Sequence, residues 1–281
     1  MNRPRILLAI PVYNEEKFVT KVLTEVAAYS KTHIDSVLVV DDGSTDATPM
    51  ELARHRVEVI RHAENRGYGR SMQDMLRWAS FDGFDWLITM DCDEQHEPAS
   101  IPVFVNAIVA DDADIISGSR YAQEHPLDHL PPGDRRRING TITDEINARL
   151  GARLDTKLTD SFCGFKAYRV TACDRLALDV DGYDFPMQFW PQAVAHGLVI
   201  REIPVRLIYN DPNRSFGGPL NDPVRRLRAY RETLHCELLR LRAQLPEEAL
   251  RGLDAASCGA CCCPQHSSDV GDEVGDELVP E

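Results

Sequence analysis

Nowhere in the 281 residues does an apolar run approach the ~18–20 residues that a membrane-spanning helix requires, so the sequence offers no transmembrane segment. A leader peptide is not expected in the opening residues either. The opening MNRPRILLAIPVYNEE is basic and then apolar, but its apolar part is too short for a secretion signal and turns acidic at once. A buried first strand is the better expectation, and with it a cytoplasmic protein, at most peripheral to the cytoplasmic face of a membrane. Excess positive charge is absent. The formal net charge is −14, which argues against non-specific nucleic-acid binding. Residues 265–281 hold six acids and no Lys or Arg, so the remainder of the chain carries −8. No internal repeat is visible. A standard zinc spacing is lacking as well. Cys92, Cys163, Cys173 and Cys236 are scattered, as reduced thiols are. The tract CGACCCP (258–264), with His266, suits a soft metal, oxidation or acylation; an inert tail is the plainer reading.

What the chain does have is apolar residues, 43% of the total, arranged in short runs. RILLAI (5–10), SVLVV (36–40), VEVI (57–60), WLITM (86–90) and ADIISGS (113–119) read as buried strands. Helical patterns near 15–29, 46–54, 69–80 and 98–110 fall between them. Strands this apolar are covered on both faces, as in parallel α/β sheets. Such sheets bind ligands at the carboxyl ends of their strands. Beyond residue 120 the pattern loosens. Residues 120–137, ending in LPPGDRRR, read as a mobile loop, followed by a helix at 138–151 and a strand within SFCGFKAYRV (161–170). Helices near 170–177 and 186–196, a strand at 198–209 and a flexible loop at 210–223 complete a single domain over 1–223. Leu227, Leu234, Leu238, Leu241 and Leu245 then recur at helical spacing through a basic amphipathic helix, 224–245. An acidic, cysteine-containing tail, 246–281, is expected to be disordered.

The polar residues gather at the expected strand ends. PVYNEE follows the first strand. Pro11 stops it, Asn14 suits a cap, and Glu15 suits a helix N-terminus. Tyr13, an aromatic just past a strand end, suits stacking on a base. VVDDGSTD follows the second strand. Gly43 permits the turn and Ser44 or Asp46 a cap, which leaves Asp41 and Asp42 as adjacent carboxylates. Such an acid can accept from a base N–H or a ribose hydroxyl, as in dinucleotide folds. NRGYGRSM (65–72), with Gly67, runs glycine-rich into a helix whose N–H groups favour an anion. LITMDCDEQHEP (87–98) ends a strand on Asp91 and Asp93, which point the same way if the segment is extended. Carboxylates that close repel unless a cation lies between them. A solvated acidic turn is the bland account. The chemical one is a site for Mg2+ or Mn2+ completed by substrate phosphates, with Gln95 and His96 within reach. SGSRY puts Arg120 after the fifth strand. Each fragment alone is ordinary turn chemistry; four on one sheet edge make a site.

AIPVYNEE, VVDDGSTD, NRGYGRSM, MDCDEQHEP, SGSRY and DSFCGFKAYR occur in the order seen in family 2 glycosyltransferases of the GT-A fold. Over roughly residues 5–215 the chain most resembles the dolichol-phosphate mannosyltransferase, or polyprenyl-phosphate glycosyltransferase, branch. D-x-D-x-Q-H-x-P and C-G-F-K are the nearest points of likeness. The resemblance implies an α/β, Rossmann-like GT-A fold: a mixed, mostly parallel sheet with helices on both faces. Its nucleotide-sugar half would span about 1–120 and its acceptor half about 121–223. The resemblance further implies an inverting, metal-dependent transfer of a hexose, mannose or glucose, from a GDP- or UDP-linked sugar to a polyprenyl or dolichyl phosphate. Pro11, Tyr13 and Glu15 match the nucleotide-contacting segment, in which Asn14 also stands. Gly67 belongs to the nucleotide-sugar set as well, and Asp41 or Asp42 matches the acid that recognises base or ribose. Asp91 matches the first D-x-D acid, near ribose and sugar, and shares the metal with Asp93 and Gln95. Arg120 matches an arginine near the acceptor phosphate.

Two departures stand out. C-G-F (163–165) replaces S-G-F, and NDPNRSFGG keeps Arg214 and Ser215 of the later R-x-x-G-x-S-K loop without its lysine. The second departure bears on the acceptor and the donor sugar. A lipid phosphate is already anionic and needs only arginines to hold it, here Arg120, Arg136 of the 135–137 run and Arg214. An alcohol acceptor needs a general base instead. Asp160 in TDSF sits where many family 2 enzymes keep a catalytic acid, which supports the alternative of transfer to a saccharide or other hydroxyl. Asp91, Asp93, Arg120 and Asp160 are therefore the candidate catalytic residues. A non-catalytic, nucleotide-sugar-binding regulator would have lost its metal ligands, yet Asp91, Asp93 and Gln95 are present. A nucleotidyltransferase would show a glycine-rich, Arg- or Lys-bearing loop where PVYNEE stands. The segment 224–242, rich in arginine, either docks by its leucine face or lies on an anionic membrane as a peripheral contact.

Overall fold

The computed structural model describes residues 3–30, 32–122, 132–206, 208 and 218–253. Seven strands form one sheet: β1 (Ile6–Val12), β2 (Ser36–Asp41), β3 (Glu58–Arg61), β4 (Trp86–Thr89), β5 (Ile115–Ser119), β6 (Lys166–Arg169) and β7 (Ile200–Pro204). Their order is β3-β2-β1-β4-β6-β5-β7. All neighbours run parallel except β6, which is antiparallel to both β4 and β5. Helices α1 (Val19–Ala27), α2 (Thr48–Leu52), α3 (Tyr68–Phe81), α4 (Ile101–Ala110), α5 (Gly133–Leu150), α6 (Val170–Cys173), α7 (Phe185–Ala195), α8 (Pro223–Arg240) and α9 (Glu247–Leu250) complete the described elements.

The strands explain the two-layered core. Successive side chains of β1 point to opposite faces. Leu7 and Ala9 enter one apolar cluster, with α3, α5, α7 and α8; Ile6, Leu8 and Ile10 enter the other, with α1 and α4. Burial on both faces is why β1, β2, β4 and β5 lack polar alternation; β3, expected to be buried, is instead the exposed edge strand, because only β2 flanks it and Val59 is left 45% exposed. In α3, Met72, Met75, Leu76 and Ala79 recur at helical spacing and turn inward.

Three further sequence expectations shift. The loop expected over 120–137 gives way to α5 at Gly133, five residues before the expected start. Ile138, Ile142 and Ile146 bury the helix, and Asp134 in its first turn holds Arg226 of α8 at 2.6 Å, so a polar, arginine-rich turn becomes helical through a tertiary contact. The strand expected over 161–170 shortens to β6 because residues 161–165 are used by the site. Residues 246–253, expected to belong to a disordered tail, are ordered. Ala249 of α9 is fully buried, and Arg149 donates to the carbonyls of Ala249 (3.1 Å) and Arg251 (3.2 Å). Residues 254–281, with the 258–264 cysteine tract, lie outside the described residues, as does Arg214. Helix α8 docks by its apolar face: Leu234 and Leu238 are fully buried and Leu241 nearly so. That face is therefore not free for a membrane.

Candidate active site

Because β6 runs against its neighbours, its amino end meets the carboxyl ends of β4 and β5. Segments before β6 and after β1, β2, β4 and β5 thus converge on one sheet edge around a cavity of about 770 Å³. Pro11, Tyr13, Asn14 and Glu15 all line it. Tyr13 is 45% exposed, an aromatic face open to a ligand. Asn14 has a different task. It sits at φ 55°, and its side-chain oxygen accepts from Thr45 N (2.8 Å) and Asp46 N (3.3 Å) while its own N–H donates to Ser44 Oγ (2.9 Å). Glu15 N donates to Thr48 Oγ1 at 2.8 Å. The loop after β1 is thereby tied to the loop after β2.

The two acids of the second loop separate. Asp41 is wholly buried and outside the cavity lining; it caps its own turn through Ser44 N (2.9 Å) and pairs by charge with Arg61 at 3.3 Å. Asp42 lines the cavity and accepts from Arg66 N and Gly67 N, both at 2.8 Å, and pairs with His62 Nδ1 at 2.6 Å. The glycine-rich stretch was expected to offer its N–H groups to a ligand anion. The structure corrects this: the anion seated there is the protein's own Asp42. Gly67 lines the cavity at φ 104°, and a Cβ on it would lie 2.3 Å from Asp181 O, so the loop before α3 is glycine because residues 180–182 pass against it.

Asp91 and Asp93 both line the cavity, as does Gln95, and all three are partly exposed. Asp91 is held from several sides. Its N–H donates to His96 Nδ1 at 3.0 Å, which requires an unprotonated Nδ1. Burial drives the His96 pKa down to about 4, so the ring is neutral near pH 7. A Cβ at Gly164 would lie 2.6 Å and 2.7 Å from the Asp91 carboxylate oxygens, so only glycine leaves them room. Gly164 is itself fixed: its carbonyl accepts from Thr89 Oγ1 at 2.7 Å, and the neighbouring Cys163 carbonyl accepts from the Lys166 ammonium. Lys166 is buried, and burial lowers its pKa. The C-G-F-K motif is thus the back wall of Asp91, a role the sequence reading missed. Its signal was the glycine. Two carboxylates and an amide oxygen form a hard donor set. Among the described residues no three His, Cys, Asp or Glu side chains converge to enclose an ion. The set fits an Mg2+-type ion that takes one or two carboxylates and leaves positions for phosphate oxygens.

Arg120 and Asp160 meet. Arg120 Nε and Nη2 donate to the two Asp160 oxygens at 2.6 Å and 2.9 Å, and Asn139 Nδ2 adds a bond of 2.8 Å. Asp160 is wholly buried and absent from the cavity lining. Burial alone would raise its pKa, but Arg120 and Asn139 outweigh that and hold it at about 2. A carboxylate so occupied is a poor general base at neutral pH. Arg120 itself lines the cavity. Arg136 is exposed and outside the lining, whereas the adjacent Arg135 lines it. Sequence reasoning also missed Phe162, Tyr183, Arg226 and Tyr230, whose distance along the chain gave no cue. Lining residues 11–95 include every acid of the cavity, and lining residues 120–230 include every arginine and no acid.

A seven-stranded, mostly parallel sheet with one reversed strand, and acids grouped at its carboxyl edge, defines a GT-A glycosyltransferase. The chain belongs to glycosyl transferase family 2, whose model matches residues 8–177, more than half of it. It is 30% identical over 211 residues to polyprenol monophosphomannose synthase of Mycolicibacterium smegmatis, covering 72% of this chain and 76% of that protein. It is 27% identical over 231 residues to UDP-N-acetylglucosamine–dolichyl-phosphate N-acetylglucosaminyltransferase of Methanococcus voltae, covering 75% and 89%. Glucosyl-3-phosphoglycerate synthase of Mycobacterium tuberculosis, crystallised with Mn2+, UDP and glucosyl-3-phosphoglycerate, superposes with a TM-score of 0.65 at 18% identity, over 87% of this chain and 81% of that one; it shares the fold. Among the described residues no helix is long and apolar enough to cross a membrane.

Proposed function

We propose that this glycosyltransferase moves a hexose, mannose or glucose, from a GDP- or UDP-linked donor to a polyprenyl phosphate, with inversion and with Mg2+ or Mn2+. The segregation of charge in the cavity carries the reading. Acids stand where a cation and a diphosphate would sit, and arginines line the end where the acceptor would enter, with Asp160 and Asp134 bracing Arg120 and Arg226 from outside the lining. The relatives named for polyprenol and dolichyl phosphate acceptors support it, as does the Mn2+ in the structural neighbour.

In this reading Tyr13 stacks on the base, and Pro11, Asn14, Glu15 and Gly67 shape the donor pocket. Asp42, the second-loop acid that lines the cavity, borders the ribose. Asp91, Asp93 and Gln95 would hold the metal, which when bound offsets the negative charge gathering on the leaving diphosphate. Asp91 is aimed by His96 and Gly164. Arg120 holds the acceptor phosphate with Arg135, and Asp160 acts as a positioning residue that fixes the guanidinium by two bonds. A phosphate oxygen is already an anion and attacks without losing a proton, so the site needs no general base, and Asp160, held by Arg120 and Asn139, is poorly suited to be one. Peripheral membrane contact falls to the exposed arginines of α8, such as Arg225 and Arg228, because its leucines are docked.

A screen of GDP- and UDP-sugars with Mg2+ or Mn2+, with and without polyprenyl phosphate, tests the reading. Transfer that requires both a divalent ion and the lipid phosphate is expected. Donor turnover onto a saccharide alone would overturn it.

A further inference from the structure

Asp42 meets a buried imidazole. Strands β2 and β3 pair in parallel with Asp41 opposite Arg61, so the next residues, Asp42 and His62, leave the sheet side by side. Backbone bonds carry both strands on by that one residue: Asp42 N donates to Val12 O and His62 N to Asp41 O, each at 2.9 Å. The His62 ring then reaches Asp42 Oδ1 with Nδ1 at 2.6 Å and Asp74 Oδ2 with Nε2 at 3.0 Å. Asp74 lies on α3. Arg70 Nε (2.9 Å) and Arg77 Nη1 (3.0 Å) hold its two oxygens from one turn before and one turn after.

The acceptors fix the protons of the ring. Burial would raise the Asp74 pKa, but Arg70, His62 and Arg77 lower it, so Asp74 is a carboxylate near neutral pH. Asp42 accepts from two backbone N–H groups, Arg66 N at Oδ1 and Gly67 N at Oδ2. A carboxylate only accepts, so each contact with the imidazole needs an N–H, and both hold together when both ring nitrogens carry hydrogen. Oδ1 of Asp42 is then filled by Arg66 N and His62 Nδ1. Oδ2 accepts from Gly67 N and keeps capacity for one more donor. A staple that merely fastened α3 to the end of β3 would use the Asp74 contact alone. The second contact of the ring goes to an acid that lines the cavity.

We propose that His62 is a positioning residue for the nucleoside end of the donor: it turns Asp42 so that Oδ2 accepts from a ribose hydroxyl or a base N–H, and Asp74 in turn holds the ring. This rests on the reading of Asp42 as an acid that borders the ribose. It adds a chain of contacts, from α3 through His62 to Asp42, by which residues outside the cavity lining set nucleoside affinity.

The test is binding of GDP, UDP and inorganic pyrophosphate to the full chain with Mg2+, by calorimetry, in the wild type and in His62→Ala, His62→Asn and His62→Gln. Pyrophosphate reports the metal and diphosphate end and makes no use of Asp42. His62→Ala should weaken whichever nucleoside diphosphate the wild type binds by about tenfold or more, the scale of one charge-assisted hydrogen bond, with pyrophosphate affinity unchanged. In His62→Asn the amide nitrogen stands for Nδ1 and meets Asp42; in His62→Gln it stands for Nε2 and meets Asp74 alone. Asparagine should therefore recover most of the lost affinity and glutamine little, and this comparison decides the matter if His62→Ala does not fold. Recovery by glutamine as large as that by asparagine would make the ring a staple for α3 and overturn the proposal. Unchanged nucleoside diphosphate affinity in His62→Ala, or an equal loss of pyrophosphate affinity, would overturn it too, with the donor reading left standing. A wild type that binds pyrophosphate but neither GDP nor UDP would overturn the donor reading itself, and the positioning role with it.

Discussion

At the scale of single residues, the site depends on side chains that hold other side chains. Gly164 is the sharpest case, because any Cβ there would lie where the Asp91 carboxylate lies. Gly164→Ala should leave the fold nearly intact while displacing Asp91. A misplacement near 1 Å can reduce turnover by about 10²-fold. Turnover within about twofold of wild type, with circular dichroism unchanged, would show that Asp91 has room to move. The Arg120–Asp160 pair predicts something less obvious. Removing either partner strands a buried charge, typically at about 3–5 kcal/mol of stability. Arg120→Ala should therefore lower both the melting temperature and the use of acceptor. Asp160→Asn should raise the acceptor KM, with the pH–rate profile flat near neutrality. Disappearance of a basic limb from that profile in Asp160→Asn would instead identify Asp160 as a base.

At the scale of elements, α8 was legible as an amphipathic helix because its leucines recur at helical spacing. Which surface those leucines cover was not, since that depends on α5 and α7. Leu238 is fully buried against them, so Leu238→Ala should destabilise the protein by about 2–5 kcal/mol in a urea titration. The exposed arginines make a separate prediction. Arg225→Glu with Arg228→Glu should weaken sedimentation with anionic vesicles and leave stability nearly unchanged; equal sedimentation would remove α8 from any membrane contact. Four strands of the first half, β1, β2, β4 and β5, were legible because burial on both faces leaves an unbroken apolar run; β3, read as buried, is the exposed edge strand. The reversal of β6 was not, because four residues carry no record of direction. The paired aspartates could be read from their spacing. The capture of Asp42 by the loop before α3 and of Asp160 by Arg120 could not, because those partners stand 24 to 40 residues away.

At the scale of the whole molecule, acid should unfold the protein in stages. His96 has an ordinary pKa of 6.5 and a folded pKa of about 4. Between those values the unfolded chain binds a proton that the folded chain refuses, so this contribution is complete above pH 6.5 and falls by about 3 kcal/mol on reaching pH 4. Asp160 and Glu145, both held at about 2, act later. Glu145 is lowered first by its bond with His235, against the opposing effect of burial. The stability these two add is present above their unfolded values of 3.8 and 4.5 and is lost as the pH falls toward 2. His96→Asn offers an oxygen in place of Nδ1 and does not titrate, so the slope of stability between pH 6.5 and 4 should flatten in that variant. An unaltered slope would locate the early stage elsewhere.

The reversed strand also governs when the molecule becomes active. β4 and β5 are both finished by residue 119, but they do not touch each other: β6, from residues 166–169, separates them. The centre of the sheet stays open until the chain has made that return, and closing so long a loop is slow relative to local pairing. Asp91 meets Gly164, and Arg120 meets Asp160, only at that moment. A nascent or refolding chain therefore passes through a stage in which the nucleotide-sugar half has its strands but no Asp91 back wall and no arginine brace. Catalytic activity should reappear with the last phase of refolding, as a late marker of the finished sheet rather than a gradual one.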